Sequence, residues 1–265
     1  MKVMKLGIVG FGFMGHCDAD MMNTFEEIEL VAVADTNPDQ LKDAPSGVKT
    51  YGSIDEMLAD KELEIDVVMG ATPNPSHPEM VKKAAAAGKH VICEKPAAMS
   101  VAEFDEMVEA CKKAGVLFTV HQQRRWDTDH RIMKEAYDTK SVGDMYIIKS
   151  QLYGVNGNMH DWHVFPEMGG GMLYDWGVHL IDQMLNMVDS KIVSLYADVQ
   201  NVINENVDDY FKIIMKFASG ITAEIELGTY YLTPKRAWFI GGTKGSAIID
   251  GFAGEGQIVR TAHLL

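Results

Sequence analysis

The stretch that most limits what this chain can fold into is Leu6-Gly7-Ile8-Val9-Gly10-Phe11-Gly12-Phe13-Met14-Gly15, a short apolar run that passes through G-x-G-x-x-G into a helical pattern. The same rhythm continues through the first 120 residues. Apolar runs at 6–10, 30–34, 66–71, 90–93 and 116–120 have the length and branched content of buried strands. Helical patterns lie between them, two of them opening with capping boxes, Ser53 with Glu56 and Ser100 with Glu103. Strands alternating with helices in units of this length predict an α/β domain with a parallel, doubly wound sheet.

Past residue 120 the rhythm changes. A helix near 127–138 is followed by longer strand candidates at 145–154, 191–200, 209–217 and 221–230, several alternating apolar with polar residues as an antiparallel sheet with one wet face does. The expectation is two domains: residues 1–120, a Rossmann dinucleotide-binding domain, and residues 121–265, an α+β domain with a largely antiparallel open sheet. A length of 265 residues suits two cores better than one.

Strand, glycines and helix in that order give the G-x-G-x-x-G its meaning. The first glycine permits a tight turn, the second lets the backbone approach a pyrophosphate, and the third brings helix and strand together, with the helix N-terminus facing the anion. Gly10, Phe11, Gly12, Phe13, Met14 and Gly15 are thus cofactor candidates. Asp35 ends the second strand; its carboxylate can accept both ribose hydroxyls and would repel a 2'-phosphate. Thr36 to Asp39 contain no cation and the first 120 residues no arginine, so NAD is expected in preference to NADP.

The formal net charge of -14 is spread over both parts, 11 Lys against 20 Asp+Glu in residues 1–120 and 13 Lys+Arg against 18 after them. An evenly acidic chain has no footprint for a phosphate backbone or an anionic lipid surface, which argues against nucleic acid and membrane as partners and for a small molecule. Cys17, Cys93 and Cys111 are odd in number and without C-x-x-C spacing, the pattern of free buried thiols in a reducing cytosol. Neither a signal peptide nor a run of eighteen apolar residues is evident, and a cytoplasmic location is expected.

Two segments sit where ligands of open α/β sheets bind, at the carboxyl ends of strands. Thr72-Pro73-Asn74-Pro75-Ser76-His77 follows the run at 66–71, and Glu94-Lys95-Pro96 follows the run at 90–93. A lysine so placed can have its pKa lowered or hold its charge near a substrate oxygen. A third segment, Gly169 to Asp182, reads GGGMLYDWGVHLID. On a helix Asp175 and His179 share a face that Asp182 continues, while Leu173, Val178, Leu180, Ile181 and Leu185 form the apolar remainder. The glycine run is expected to let the backbone enter a cleft.

The combination of GFGFMG, Asp35, TPNPSH, AGKHVICEKP and GGGMLYDWGVHLID, in this order and spacing, resembles the Gfo/Idh/MocA oxidoreductases, named for glucose-fructose oxidoreductase and inositol dehydrogenase. The resemblance spans nearly the whole chain. It implies that Lys95, Asp175 and His179 are catalytic, that hydride moves between a carbinol carbon and a nicotinamide, and that Thr72, Pro73, Asn74, His77, Glu94, Lys95 and Gln123 join the cofactor site. A secondary alcohol releases hydride as its proton leaves, and an imidazole titrating near neutrality suits that proton. Asp175 would orient the imidazole or a hydroxyl, Lys95 would stabilise alkoxide charge, and Asp182 would cap or support.

Where the family has Asn-Arg-Arg and Asp-Trp-Arg, this chain has Gln123-Arg124-Arg125 and Asp161-Trp162-His163. Arg124, Trp162 and His163, with Lys95, Asp175 and His179, are the substrate-binding candidates, and the substrate class implied is a sugar, polyol or glycoside. The resemblance also implies a homodimer or homotetramer, and several dozen residues beyond a segment like 241–251, against which this chain is short. Three other readings stand beside it: an N/O metal set of His160, His163, Asp175 and His179, although no metal is expected; a non-catalytic sugar sensor that binds NAD; and glycoside hydrolysis or elimination with NAD recycled.

Overall fold

The branched apolar runs of the first part are strands because helices cover both faces of the sheet they form. The computed structural model describes residues 3–154, 159–233, 235–251 and 255–262. The chain divides into two compact units, Met1–His121 and Gln122–Leu265.

In the first unit β1 (Met4–Val9), β2 (Ile28–Ala34), β3 (Lys49–Tyr51), β4 (Val67–Gly70), β5 (His90–Cys93) and β6 (Phe118–Val120) build a six-stranded parallel sheet in the order β3-β2-β1-β4-β5-β6. This is the doubly wound sheet expected. β3 is not among the strand candidates: Lys49-Thr50-Tyr51 is short and without an apolar run, and pairing with β2 makes it a strand. Helix α1 (Phe13–Met22) packs with Leu6, Ile8, Phe11 and Met69 into one core. Helices α2 (Ile54–Ala59), α3 (His77–Ala86) and α4 (Val101–Ala114) close the other around Val68, Val91 and Cys93. Both capping boxes form: Ser53 and Ser100 accept from the amides of Glu56 and Glu103, whose carboxylates reach back to Gly52 and Met99. Caps of this kind contribute about 1 kcal/mol each.

In the second unit α5 (Thr128–Asp138) and α6 (Val178–Met187) lie against one face of a seven-stranded sheet. Its strands β7 (Met145–Tyr153), β8 (Ile192–Gln200), β9 (Tyr210–Phe217), β10 (Thr222–Gly228), β11 (Trp238–Gly242), β12 (Gly245–Ile249) and β13 (Gly256–Arg260) run in the order β13-β12-β11-β7-β10-β9-β8, antiparallel except for β7 with β10. The last three are absent from the strand candidates; glycines at the end of β11 and at the start of β12 and β13 hide the period-two pattern. β7, β9 and β10 alternate in burial, but β8 is exposed along nearly its whole length, an edge strand that turns Val193, Leu195 and Val199 to solvent.

Cys93 and Cys111 are buried as expected, whereas Cys17 is exposed because α1 turns it away from the sheet. No helix among the described residues is long and apolar enough to cross a membrane.

Candidate active site

The strand order of the first unit reverses between β1 and β4, and the crevice at such a switch point is where open α/β sheets bind ligands. The glycine loop leaves β1 there. At Gly10, where φ is +86°, a Cβ would lie 2.5 Å from the Ala71 carbonyl oxygen, and at Gly15 one would lie 2.1 Å from the Gly10 carbonyl oxygen. Both positions are closed to any side chain. At Gly12 a Cβ would meet nothing within 4 Å, and Gly12 caps α1 without a side-chain hydrogen bond. Turn, close packing and an open amide-lined approach thus fall on the three glycines in the arrangement a pyrophosphate site requires.

Asp35 braces that loop: its carboxylate accepts from the Phe11 amide at 2.7 Å and the Asn37 amide at 2.8 Å. Phe11 itself is fully buried in the core, so only its backbone faces the loop; Phe13 is exposed and Met14 half-buried. After β4, Thr72 carries a buried hydroxyl with no hydrogen-bond partner among the described residues, Pro73 is exposed, and Asn74 is buried. An orphaned hydroxyl beside an open glycine loop fits a bound dinucleotide. His77 is different. Its Nδ1 lies 2.9 Å from the Pro96 carbonyl and its Nε2 2.8 Å from the Thr72 carbonyl, so the ring ties the two loops together rather than reaching outward. Burial pulls its pKa below the ordinary value, against those carbonyls and the Glu94 charge.

Lys95 is half-buried behind β5 and its amide donates to Glu94 at 3.2 Å. Glu94 is buried and bonded to His121, with fully buried Asp18 beside them. Burial first, then the Glu94 charge, push the Asp18 carboxyl up to about 7. Burial lowers His121, but Glu94 and Asp18 outweigh it and hold the imidazole above its ordinary value.

In the second unit the glycine run leads into Leu173–Gly177, a π-turn, before α6 begins. Such widened turns recur at functional sites. A uniform α-helix, expected from the spacing, is therefore not what forms. In α6 Leu180, Met184 and Met187 are buried while Leu185 is 47% exposed and drops out of the predicted apolar set. Asp175, His179 and Gln183 form instead a buried polar face.

His179 Nδ1 lies 3.1 Å from the Gln122 amide oxygen. With Gln122 accepting at its oxygen, Nδ1 carries the proton of that contact. Gln183 donates to the Arg124 carbonyl at 2.7 Å, and Arg125 forks onto Asp182 at 2.7 and 2.6 Å. Gln122, Arg124 and Arg125 are thereby pinned along α6, and Asp182 is an ion-pair partner rather than a cap. The Arg124 guanidinium lies 4.1 Å over the Trp176 ring and pairs with Asp127 at 2.9 Å. The Gln123 side-chain oxygen is buried without a hydrogen-bond partner among the described residues.

Asp175 lies 3.7 Å from His163 Nε2, while His163 stacks on Trp162 with ring centroids 3.8 Å apart and sets Nδ1 against the His160 carbonyl. His163 thus places an imidazole beside Asp175. The glycines do not open a cleft as expected: a Cβ at Gly170 would strike the His163 carbonyl at 2.5 Å, and one at Gly171, where φ is +97°, would strike Asp208 Oδ1 at 2.2 Å. Asp208 accepts from the Leu173 amide at 2.8 Å and so fixes the start of the π-turn. Sequence reasoning misses Gln122, Gln183 and Asp208, ordinary polar residues with no motif to mark them. His160 is exposed and turned to Asp161; among the described residues the group of possible ligands whose atoms lie within 4.8 Å of one another is Asp18, Glu94 and His121.

Comparison with known proteins accords with these features. Residues 4–122 match the family model described as "Oxidoreductase family, NAD-binding Rossmann fold", and residues 130–248 match the GFO/IDH/MocA C-terminal domain. An NAD-binding protein of Listeria innocua superposes with a TM-score of 0.93 at 39% identity, covering 98% of this chain and 77% of that one. The myo-inositol 2-dehydrogenase of Thermotoga maritima is 26% identical over 84% of this chain and 68% of its own length. The 2,7-anhydro-N-acetylneuraminate hydratase of Escherichia coli is 28% identical over 94% of this chain and 68% of its own. Against two further curated oxidoreductases the chain spans about half their length, 48% and 46%. With a family match over both units and a dinucleotide loop in which two glycines are closed by backbone and the middle one is open, the chain belongs to the GFO/IDH/MocA family of NAD-binding oxidoreductases.

Proposed function

We propose that this protein is an NAD-dependent dehydrogenase that oxidises a secondary hydroxyl of a sugar, polyol or glycoside, or reduces the corresponding ketone. The observation that carries the reading is the buried polar face of α6, where Asp175, His179 and Gln183 lie together and His179 Nδ1 is 3.1 Å from the Gln122 amide oxygen; in this reading His179 is the base. When bound, NAD supplies the hydride acceptor. Gly12 and the open N-terminus of α1 receive its pyrophosphate, and Asp35, already braced by two amides, accepts from the adenosine ribose and disfavours a 2'-phosphate.

His179 takes the hydroxyl proton, and Lys95 stabilises the negative charge that gathers on that oxygen as hydride leaves. Asp175, paired with His163, adds an acceptor for a neighbouring hydroxyl. Trp162 and Arg124 present flat faces suited to a sugar ring. A neutral substrate, a cytoplasmic location and a homo-oligomer complete the reading.

The test is NADH formation on a panel of polyols, free sugars and glycosides, with NADP in parallel. NAD-dependent turnover of one class supports the proposal; absence of turnover across the panel, with NAD still raising Tm, removes it in favour of a sensor. A second reading has one observation behind it, the similarity to a relative named for hydration. In that reading the same residues act while NAD is reduced and regenerated, and substrate disappears with no net NADH.

A further inference from the structure

Asp18 is fully buried and, among the described residues, neither of its carboxylate oxygens has a hydrogen-bond partner. A buried polar group left unpaired is costly, and a buried carboxylate more so. Beside it stand Glu94, 4% exposed, and His121, and one ligand atom from each of the three lies within 4.8 Å of the others. We propose that Asp18, Glu94 and His121 bind a single divalent transition-metal cation within the first unit, at a site that adjoins Lys95 through Glu94.

A shared proton does not resolve the cluster. His121 Nδ1 is already engaged by Glu94 and is 3.7 Å from Asp18 Oδ1, too far for a hydrogen bond. A cation answers both the unpaired oxygens and the like charges. One imidazole nitrogen and two carboxylate oxygens are a borderline donor set that suits Zn²⁺ or Mn²⁺. Ligands at about 2.0–2.2 Å from a tetrahedral ion stand roughly 3.3–3.6 Å apart. The Asp18–His121 separation of 3.7 Å is close to that, and the Glu94–His121 contact of 2.5 Å has to open by about 1 Å.

The three ligands come from different elements. Asp18 is on α1, Glu94 follows β5 and His121 follows β6, so an ion there would tie the helix behind the glycine loop to the carboxyl edge of the sheet. His121, with its side chain 16% exposed, is the side from which the ion enters.

The experiment is calorimetric titration of the untagged, EDTA-stripped protein with Zn²⁺ and with Mn²⁺, Mg²⁺ serving as a control because it demands an octahedral oxygen shell. The result expected is saturable binding at one ion per chain, a rise in Tm of several degrees, and affinity at least about 100-fold weaker in Asp18→Asn and His121→Gln. Mn²⁺ broadening of the His121 imidazole resonances tests the same point on the unmodified chain, should either variant fail to fold. Absence of saturable binding, binding of equal strength in the folded variants, or broadening confined to other histidines would overturn the proposal. None of these readouts depends on turnover, so they stand apart from the test of the dehydrogenase reading.

Discussion

Two glycine runs precede the two helices that matter most, and they do opposite work. In Gly10 to Gly15 the outer glycines are filled by this chain's own backbone while the middle one faces open space, a loop built for a visitor. In the run ending at Gly171, Gly170 is pressed against the His163 carbonyl and Gly171 against Asp208. There the glycines serve internal packing, and in the proposed reading the substrate is met by side chains instead: His179, Asp175 and their supports. Recognition through backbone demands a spacing that can be read along the chain. Recognition through side chains demands partners that only the fold assembles.

The largest effect expected from breaking this contrast is at the side-chain end. His179→Ala should lower turnover by about 10²–10⁴-fold, the usual range for a general base, while NAD titration by fluorescence stays as in the wild type. Equal loss of NAD binding would place His179 in structure rather than in chemistry. Next comes Gly171→Ala, which meets both a left-handed backbone and Asp208; thermal melts should show a loss of about 1–3 kcal/mol with NAD affinity retained by the folded fraction.

Gly12→Ala should do the reverse. Its Cβ meets nothing in the protein, so Tm without ligand is unchanged, whereas NAD binding measured by calorimetry weakens by about tenfold, or ~1.4 kcal/mol. A drop in ligand-free Tm would mean that Gly12 too is a packing glycine. Smaller still is the Arg125–Asp182 fork. The Arg125 side chain is 46% exposed, so Asp182→Asn should cost below about 1 kcal/mol, less at high salt.

The smallest effect is a titration. Lys49 first, then Tyr51 and the Glu62 amide, hold Asp60 down to about 2 from an ordinary 3.8. A carboxylate depressed on folding stabilises above its unfolded pKa, and that stabilisation fades as pH falls from about 4 through 2. Asp60→Asn should flatten that part of an acid-unfolding curve, and an unchanged acid limb would show the contacts to be without effect.

The legibility of the two units differs for the same reason as their glycines. The central parallel strands of the first unit are buried on both faces, so each is a run of branched residues; of the two edge strands β6 keeps an apolar run, whereas β3, with Lys49 and Thr50 exposed, lacks that signature. In the second unit β11 to β13 lack it because glycines interrupt them, and pairing with β7 and with one another supplies what propensity does not. Asp175 and His179 stand out by type and spacing, yet the π-turn between them does not. It depends on Asp208, thirty-three residues beyond Asp175, accepting the Leu173 amide. Gln122 and Gln183 carry no chemistry of their own and gain significance only as partners of His179 and Arg124.

By itself the sequence determined the doubly wound sheet, the dinucleotide loop, the acid after β2 and the two residues of the second unit on which the proposed chemistry rests. Each arises from local steric rules or from period and spacing, which are properties of neighbouring residues. The tertiary structure alone decided that His179 meets Gln122, that Asp175 lies beside His163, that His77 is a brace, and that Asp18, Glu94 and His121 converge. Those are contacts between residues far apart in the chain, and hydrogen-bond direction and burial exist only once folding has brought both partners together.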